Sequence, residues 1–200
     1  TAFSFLEKSK TTEGECTMNL EIRPFSATES KIDGLKIINA KMVTDDRGTV
    51  RELYRESAHM DVLPQTVSGW KQINLTRTKR GAVRGLHGEA MSKLVTVALG
   101  SVFGVYVDTY YAWCSGFCSS GSMQWFSGVG RAYRIFVFFD NEWAAGMAGT
   151  ALTPLDPELG IEWPIPIDPK NLEQISEKDA KAPTLQELRE TLIEERKYTF

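Results

Sequence analysis

Residues Gly81–Gly100, GAVRGLHGEAMSKLVTVALG, decide how the rest of the chain is read. They hold His87, one of only two histidines in 200 residues, with Arg84 and Lys93 close by. Ala82–Leu86 and Leu94–Leu99 are short apolar or alternating runs, which predict two strands joined by a tight connection through Gly88–Ser92. Side chains two apart on a strand share a face. Val83, Gly85 and His87 therefore fall on one face, and Arg84 and Leu86 on the other, unless a glycine bulge re-aims one of them. Neighbouring cations disfavour a protonated ring, and a neutral imidazole is what a proton-abstracting base requires. Taken alone, the residues favour a hydrogen-bonded structural histidine and a solvated strand lysine.

Working outward, residues 1–33 are polar and weakly patterned and predict an arm or edge strand. Gly34–Val43 is the first convincing strand, and Asp45-Asp46-Arg47-Gly48 is a turn signal before the short element Thr49–Arg55. His59 lies in the polar segment Glu56–Asp61, which predicts a surface residue without a chemical role. Val67–Thr76 is the next strand, with Ile73 and Leu75 on one face and Gln72 and Asn74 on the other. By itself, that polar pair suits the solvent face of a sheet.

Val102–Asp108 and Arg134–Phe139 predict further strands. Between them, Thr109–Tyr133 is rich in Gly, Ser, Trp and Tyr, and its Trp113, Trp125 and Phe126 are an aggregation risk if left unpacked. Pro154–Pro169 carries five of the eight prolines and predicts a rigid, extended stretch. Thr184-Leu185-Gln186-Glu187 is a capping box opening a helix to about Lys197, with Leu185, Leu188, Leu192 and Ile193 as its apolar stripe.

Composition narrows the class. The length suits one domain, and a formal charge of −3 offers nothing to nucleic acid or an acidic membrane. No apolar run approaches the roughly 20 residues that span a bilayer, and Thr1–Cys16 lacks the apolar stretch of a signal peptide. Cys16, Cys114 and Cys118 form no disulfide framework, so a reducing cytoplasm is expected. Cys114-x-x-x-Cys118 has no second pair and reads as two small buried residues, so no metal site is expected.

The order of short motifs goes further. Arg84-Gly85-Leu86-His87 is followed by Lys93-Leu94-Val95 and a glycine at Gly100. Asp46-Arg47-Gly48 with Glu52 lies upstream, then Gln72-x-Asn74. Leu155–Pro164, LDPELGIEWP, and Ile175–Ala180, ISEKDA, lie downstream. Together they resemble the dTDP-4-dehydrorhamnose 3,5-epimerase family over residues 35 to 190. The resemblance implies a mostly β fold, a cupin-type antiparallel barrel or jelly roll. The expected division is an N-terminal arm (1–33), an epimerase domain (34–183) and a short C-terminal helix (184–200).

It also implies an isomerase acting on a dTDP-4-keto-6-deoxyhexose in deoxysugar biosynthesis, as a homodimer and without cofactor. The family's homodimers exchange an N-terminal strand, a part that Gly34–Glu52 would play here. In this picture His87 removes a proton beside the ketone, Asp179 orients His87, and Lys93 stabilises the enolate oxygen. Arg84 contacts the diphosphate, Gln72 and Asn74 hold the nucleotide end, Arg47 and Glu52 of the early motif bind substrate, and Trp143 stands where an aromatic touches it. The chain departs from the pattern in the middle. The family's S-P-T-F-G turn and P-x-G-x-x-H-G-F segment are missing, and with them its second histidine; a strand or most of a hairpin is expected to be missing or rebuilt irregularly. Val137 aligns with the general-acid tyrosine; Tyr133, four residues earlier with the same facing, is the substitute candidate. The carboxylate common in the Val102–Asp108 strand is replaced by Gly104. Two alternatives stand beside the active epimerase: an impaired relative that only binds nucleotide sugar, and a metal-dependent cupin.

Overall fold

The computed structural model describes residues 20–63, 67–108, 122–128, 133–144, 146–147 and 149–197. Its strands are β1 (Glu21–Arg23), β2 (Ser26–Glu29), β3 (Lys36–Asn39), β4 (Met42–Asp45), β5 (Gly48–Arg51), β6 (Gln72–Thr78), β7 (Leu86–Gly88), β8 (Lys93–Leu99), β9 (Val102–Asp108), β10 (Ser122–Gly128), β11 (Tyr133–Phe139) and β12 (Thr150–Leu152). The helices are α1 (Glu56–His59), α2 (Glu177–Ala180) and α3 (Leu185–Lys197). Two larger antiparallel sheets run in the orders β12-β7-β10-β9 and β6-β11-β8, accompanied by β1-β4-β5 and the β2-β3 pair.

The expected hairpin does not form. β7 and β8 lie in different sheets, so His87 and Lys93 stand on different walls. The strand also starts at Leu86 rather than Ala82. Gly85 sits at φ +77°, in the left-handed region, which ends a regular ladder, and the Val83 amide instead bonds the Gln174 carbonyl at 2.7 Å. Residues 122–128 supply β10 between β7 and β9, so a strand is present in the stretch expected to have lost one or rebuilt it irregularly. The remainder of 109–132, including Trp113, Cys114 and Cys118, and the side chains of β10, including Trp125 and Phe126, lie outside the described residues.

Alternation places the faces. Leu86 is fully buried and pairs with Leu152 across the ladder. Both join Val83, Ile175, Leu185 and Leu188 in the core, with Phe103, Val105 and Val107 of β9 packed against it. That is the α3 side of the sheet. His87, Gly104 and Tyr106 have the opposite parity and face away from α3. In the other sheet, Gln72 and Asn74 are half-buried while Ile73 and Leu75 are 57% and 56% exposed. The solvent-face reading of the polar pair is therefore overturned. Period-two alternation separates two faces, but only the opposing layer decides which is inside.

His59 also departs from expectation. It is 1% exposed, with ring centroids 4.9 Å from both Phe25 and Tyr54. Its Nδ1 lies 2.9 Å from the Arg55 carbonyl, so the backbone of α1 replaces water as polar partner. The C-terminal helix starts with the expected capping box. Thr184 N donates to Glu187 Oε2 at 2.7 Å, and Glu187 N donates to Thr184 Oγ1 at 3.3 Å. Leu185 and Leu188 are buried, but Ile193 is exposed and lies off the stripe.

Candidate active site

His87 Nε2 meets Asp179 Oδ1 at 2.7 Å. A carboxylate only accepts, so Nε2 carries a proton toward Asp179, and in the neutral ring Nδ1 is the atom that holds the lone pair. Asp179 is 7% exposed and held from both ends of α2's cap. Ser176 Oγ donates to Asp179 Oδ2 at 2.8 Å, and Asp179 N donates back to Ser176 Oγ at 3.1 Å. The Ser176 cap thus does local work for the helix and aims the carboxylate. Gly85 makes the approach possible. A Cβ there would lie 2.4 Å from Asp179 Oδ1 and 2.7 Å from His87 Nε2.

Burial pushes the Asp179 carboxyl upward, but the bonds from His87 and Ser176, with the charges of His87 and Lys178, outweigh it and hold it below its ordinary value. A depressed carboxyl contributes stability above its unfolded value of about 3.9 and loses it as pH falls through the folded value. Urea midpoints measured from pH 6 downward are expected to show the native protein's lead over Asp179→Asn narrowing below about pH 4. A constant lead would contradict the assignment.

His87 lines a cavity of about 530 Å³ with Thr78, Arg84 and the basic Arg77, Lys79 and Lys178. Arg84 Nε donates to Thr78 Oγ1 at 3.1 Å and its Nη2 to the Arg77 carbonyl at 3.0 Å, which fixes the guanidinium at the rim. Lys93 lines a separate cavity of about 160 Å³ with Glu89, Val95 and Tyr106. Each cavity draws residues from both larger sheets, β6 and β7 at His87 and β8 and β9 at Lys93.

A second polar chain unites most of the other candidates through a residue that sequence reasoning left out of the site. Glu89 pairs with Lys93 through one oxygen and accepts from Trp143 Nε1 at 3.3 Å through the other. The Trp143 amide donates to Gln72 Oε1 at 2.7 Å, and Gln72 Nε2 donates to Asn74 Oδ1 at 3.0 Å. The signal for Glu89 was its four-residue spacing to Lys93, which means little until the connection bends. Arg47 pairs with Asp45 at 2.5 Å and Glu52 with Arg55, and neither lines either cavity. Tyr133 stands opposite Thr78 on β6, and its side chain lies outside the described residues. Val137 pairs with Asn74 and Val95, where it offers no proton.

A protein from Pseudomonas aeruginosa named dTDP-4-dehydrorhamnose 3,5-epimerase is 31% identical over 171 residues, spanning 76% of this chain and 92% of its own. The chain belongs to the dTDP-4-dehydrorhamnose 3,5-epimerase family. The family model of that description matches residues 29–112, which include the Arg84–His87 motif, Lys93 and Tyr106. Two solved relatives agree. The 4-keto-6-deoxy sugar epimerase from the novobiocin cluster of Streptomyces spheroides superposes with a TM-score of 0.72 at 22% identity, covering 86% of this chain and 92% of that one. The dTDP-6-deoxy-D-glucose-3,5-epimerase of Legionella pneumophila, solved with dTDP-4-keto-L-rhamnose, gives 0.69 at 26% identity, covering 82% and 94%. The fold is thus the cupin-like jelly roll of these epimerases, mostly β and antiparallel as expected. Among the described residues no helix is long and apolar enough to cross a membrane.

Proposed function

We propose that this member of the family is an isomerase that epimerises a dTDP-4-keto-6-deoxyhexose by removing a proton from a carbon beside the ketone. The observation that carries the reading is the His87–Asp179 hydrogen bond, with Nδ1 left as base and Arg84 at the rim of the same cavity. A ketone acidifies the neighbouring C–H. His87 Nδ1 takes the proton, the bonding pair moves to the carbonyl oxygen, and Asp179 stabilises the resulting imidazolium. Lys93 stabilises the enolate with the N–H groups that Glu89 leaves, an effect worth about 3 kcal/mol in comparable sites. Arg84 holds the diphosphate as a bidentate partner, and Gln72, Asn74 and Trp143 hold the remainder of the nucleotide sugar. Proton transfer alone needs neither metal nor organic cofactor. The comparisons lend no support to the metal-dependent or binding-only alternatives.

Incubation with dTDP-4-keto-6-deoxyglucose in deuterated water tests the reading. Deuterium entering beside the ketone is expected; binding without uptake contradicts it.

The catalytic unit of this proposal covers 34–183, with 1–33 as an arm and 184–200 as a helix carried on it. It acts in the cytoplasm, where the three cysteines stay reduced. It works as a homodimer in which the Gly34–Glu52 segment, carrying Arg47 and Glu52, reaches a second copy. Supporting this, β1, β4 and β5 form a sheet of their own, and it exposes Ile22 and Val50 on one ladder row. Sizing chromatography is expected to give a dimer, and Val50→Lys to shift it toward monomer; a monomeric native protein would contradict the arrangement.

A further inference from the structure

Epimerisation needs a proton returned to the face opposite the base, and Val137, which the resemblance aligns with the family's tyrosine, has none to give. We infer that Tyr106 is the general acid of this chain, delivering the proton to the substrate carbon from the side facing His87; the assignment rests on the epimerase reading above.

The ladder register carries the argument. Gln124 of β10 pairs with His87 on one side and with Tyr106 on the other. Directly paired residues project to the same face of a sheet. His87 and Tyr106 therefore stand in one row, two strands apart, with backbones about 10 Å from each other. That gap admits a single pyranose ring between an imidazole and a phenol. The facing has an independent check. Val105 and Val107 flank Tyr106 and pack on the α3 core, so Tyr106 must turn to the other side. There it lines the cavity that also holds Lys93 and Glu89. The acid thus shares its cavity with the cation that stabilises the enolate, and the row through Gln124 puts the base on the same face of the sheet. Burial pushes the Tyr106 phenol above its ordinary value, which keeps it protonated and able to donate. Gly104, which the resemblance sets against the family's carboxylate, precedes Tyr106 by two on the same face and carries no side chain.

The steps balance. The C–H bond breaks, its proton passes to His87 Nδ1, and its electron pair becomes the enolate. The enolate carbon then takes the phenolic proton of Tyr106 on the opposite face, re-forming the ketone with inverted configuration. Imidazolium and phenolate return to their starting states by exchange with solvent.

Tyr106→Phe keeps the ring and removes only the donor, so it separates the two half-reactions. Solvent deuterium incorporation, stereochemical inversion and dTDP binding are measured on the native protein and on Tyr106→Phe. Inversion is expected to fall about 100-fold or more, with deuterium incorporation by His87 within about threefold of native and dTDP binding unchanged. Inversion at the native rate in Tyr106→Phe overturns the assignment alone. So does an equal loss of exchange and inversion, which marks a packing role. Loss of inversion in Tyr133→Phe with inversion kept in Tyr106→Phe moves the acid to Tyr133. A native protein that neither exchanges nor inverts overturns the epimerase reading and this assignment together.

Discussion

His87→Ala is expected to lower solvent-deuterium incorporation into the 4-keto sugar by about 10²–10⁴-fold, the range that positioned acid–base groups supply. The expectation follows from the count of groups able to do the work. The chain has two histidines, and His59, 1% exposed and packed against Phe25 and Tyr54, does not line the His87 cavity. No other imidazole is available to the His87 cavity. Binding of dTDP is expected to survive, because Arg84 is fixed by Thr78 and the Arg77 carbonyl, independently of His87. Mass spectrometry of the recovered sugar reads the exchange, and calorimetry with dTDP reads the binding. Loss of both together would mean that His87 props the cavity open and does no chemistry.

The second large effect belongs to a residue with no side chain. Gly85→Ala is expected to destabilise the fold by about 1–3 kcal/mol through the left-handed backbone alone. It also puts a methyl group 2.4 Å from Asp179 Oδ1, closer than any real contact. Something must move. Asp179 is tied to Ser176 by two bonds and Leu86 is sealed in the core, so the His87–Asp179 bond is the weakest restraint. A misplacement of about 1 Å in such a group costs about 10²-fold in rate. Gly160→Ala is the matching control. Gly160 is also left-handed, at φ +59°, but nothing lies within 4 Å of its would-be Cβ. It is expected to lose stability and keep activity. Equal activity losses in the two variants would show that backbone strain, not collision with the dyad, governs the result.

The site was legible in sequence where chemistry and spacing are local. The Arg84–His87 motif and the Thr184–Glu187 box each depend on residues within four positions, and the box makes the hydrogen bonds its residue types favour. The pairing of His87 with Asp179 spans 92 positions and was legible only through family resemblance. Other features depend on partners that no local pattern names. The Gly81–Gly100 pattern predicts a hairpin, because consecutive strands usually neighbour one another. The two strands instead join separate sheets, and the left-handed Gly85 interrupts the first. The parity of Gln72 and Asn74 on β6 is legible from alternation, but nothing local shows that theirs is the half-buried face. His59 looked solvated because its neighbours in sequence are polar, while Phe25, one of the rings that cover it, comes from 34 residues away. Tyr106 was hidden for the same reason. Its significance lies in a row shared with His87 through β10, and β10 falls in the stretch whose composition least suggested a strand.

Mass and NMR analysis of dTDP-4-keto-6-deoxyglucose recovered from the unsubstituted protein in deuterated water is the most direct test of a proton-abstracting imidazole. One deuterium bonded to a carbon flanking the ketone, absent when His87→Ala replaces the native chain, is the predicted result. Recovery of undeuterated sugar from protein that demonstrably binds it would contradict the account.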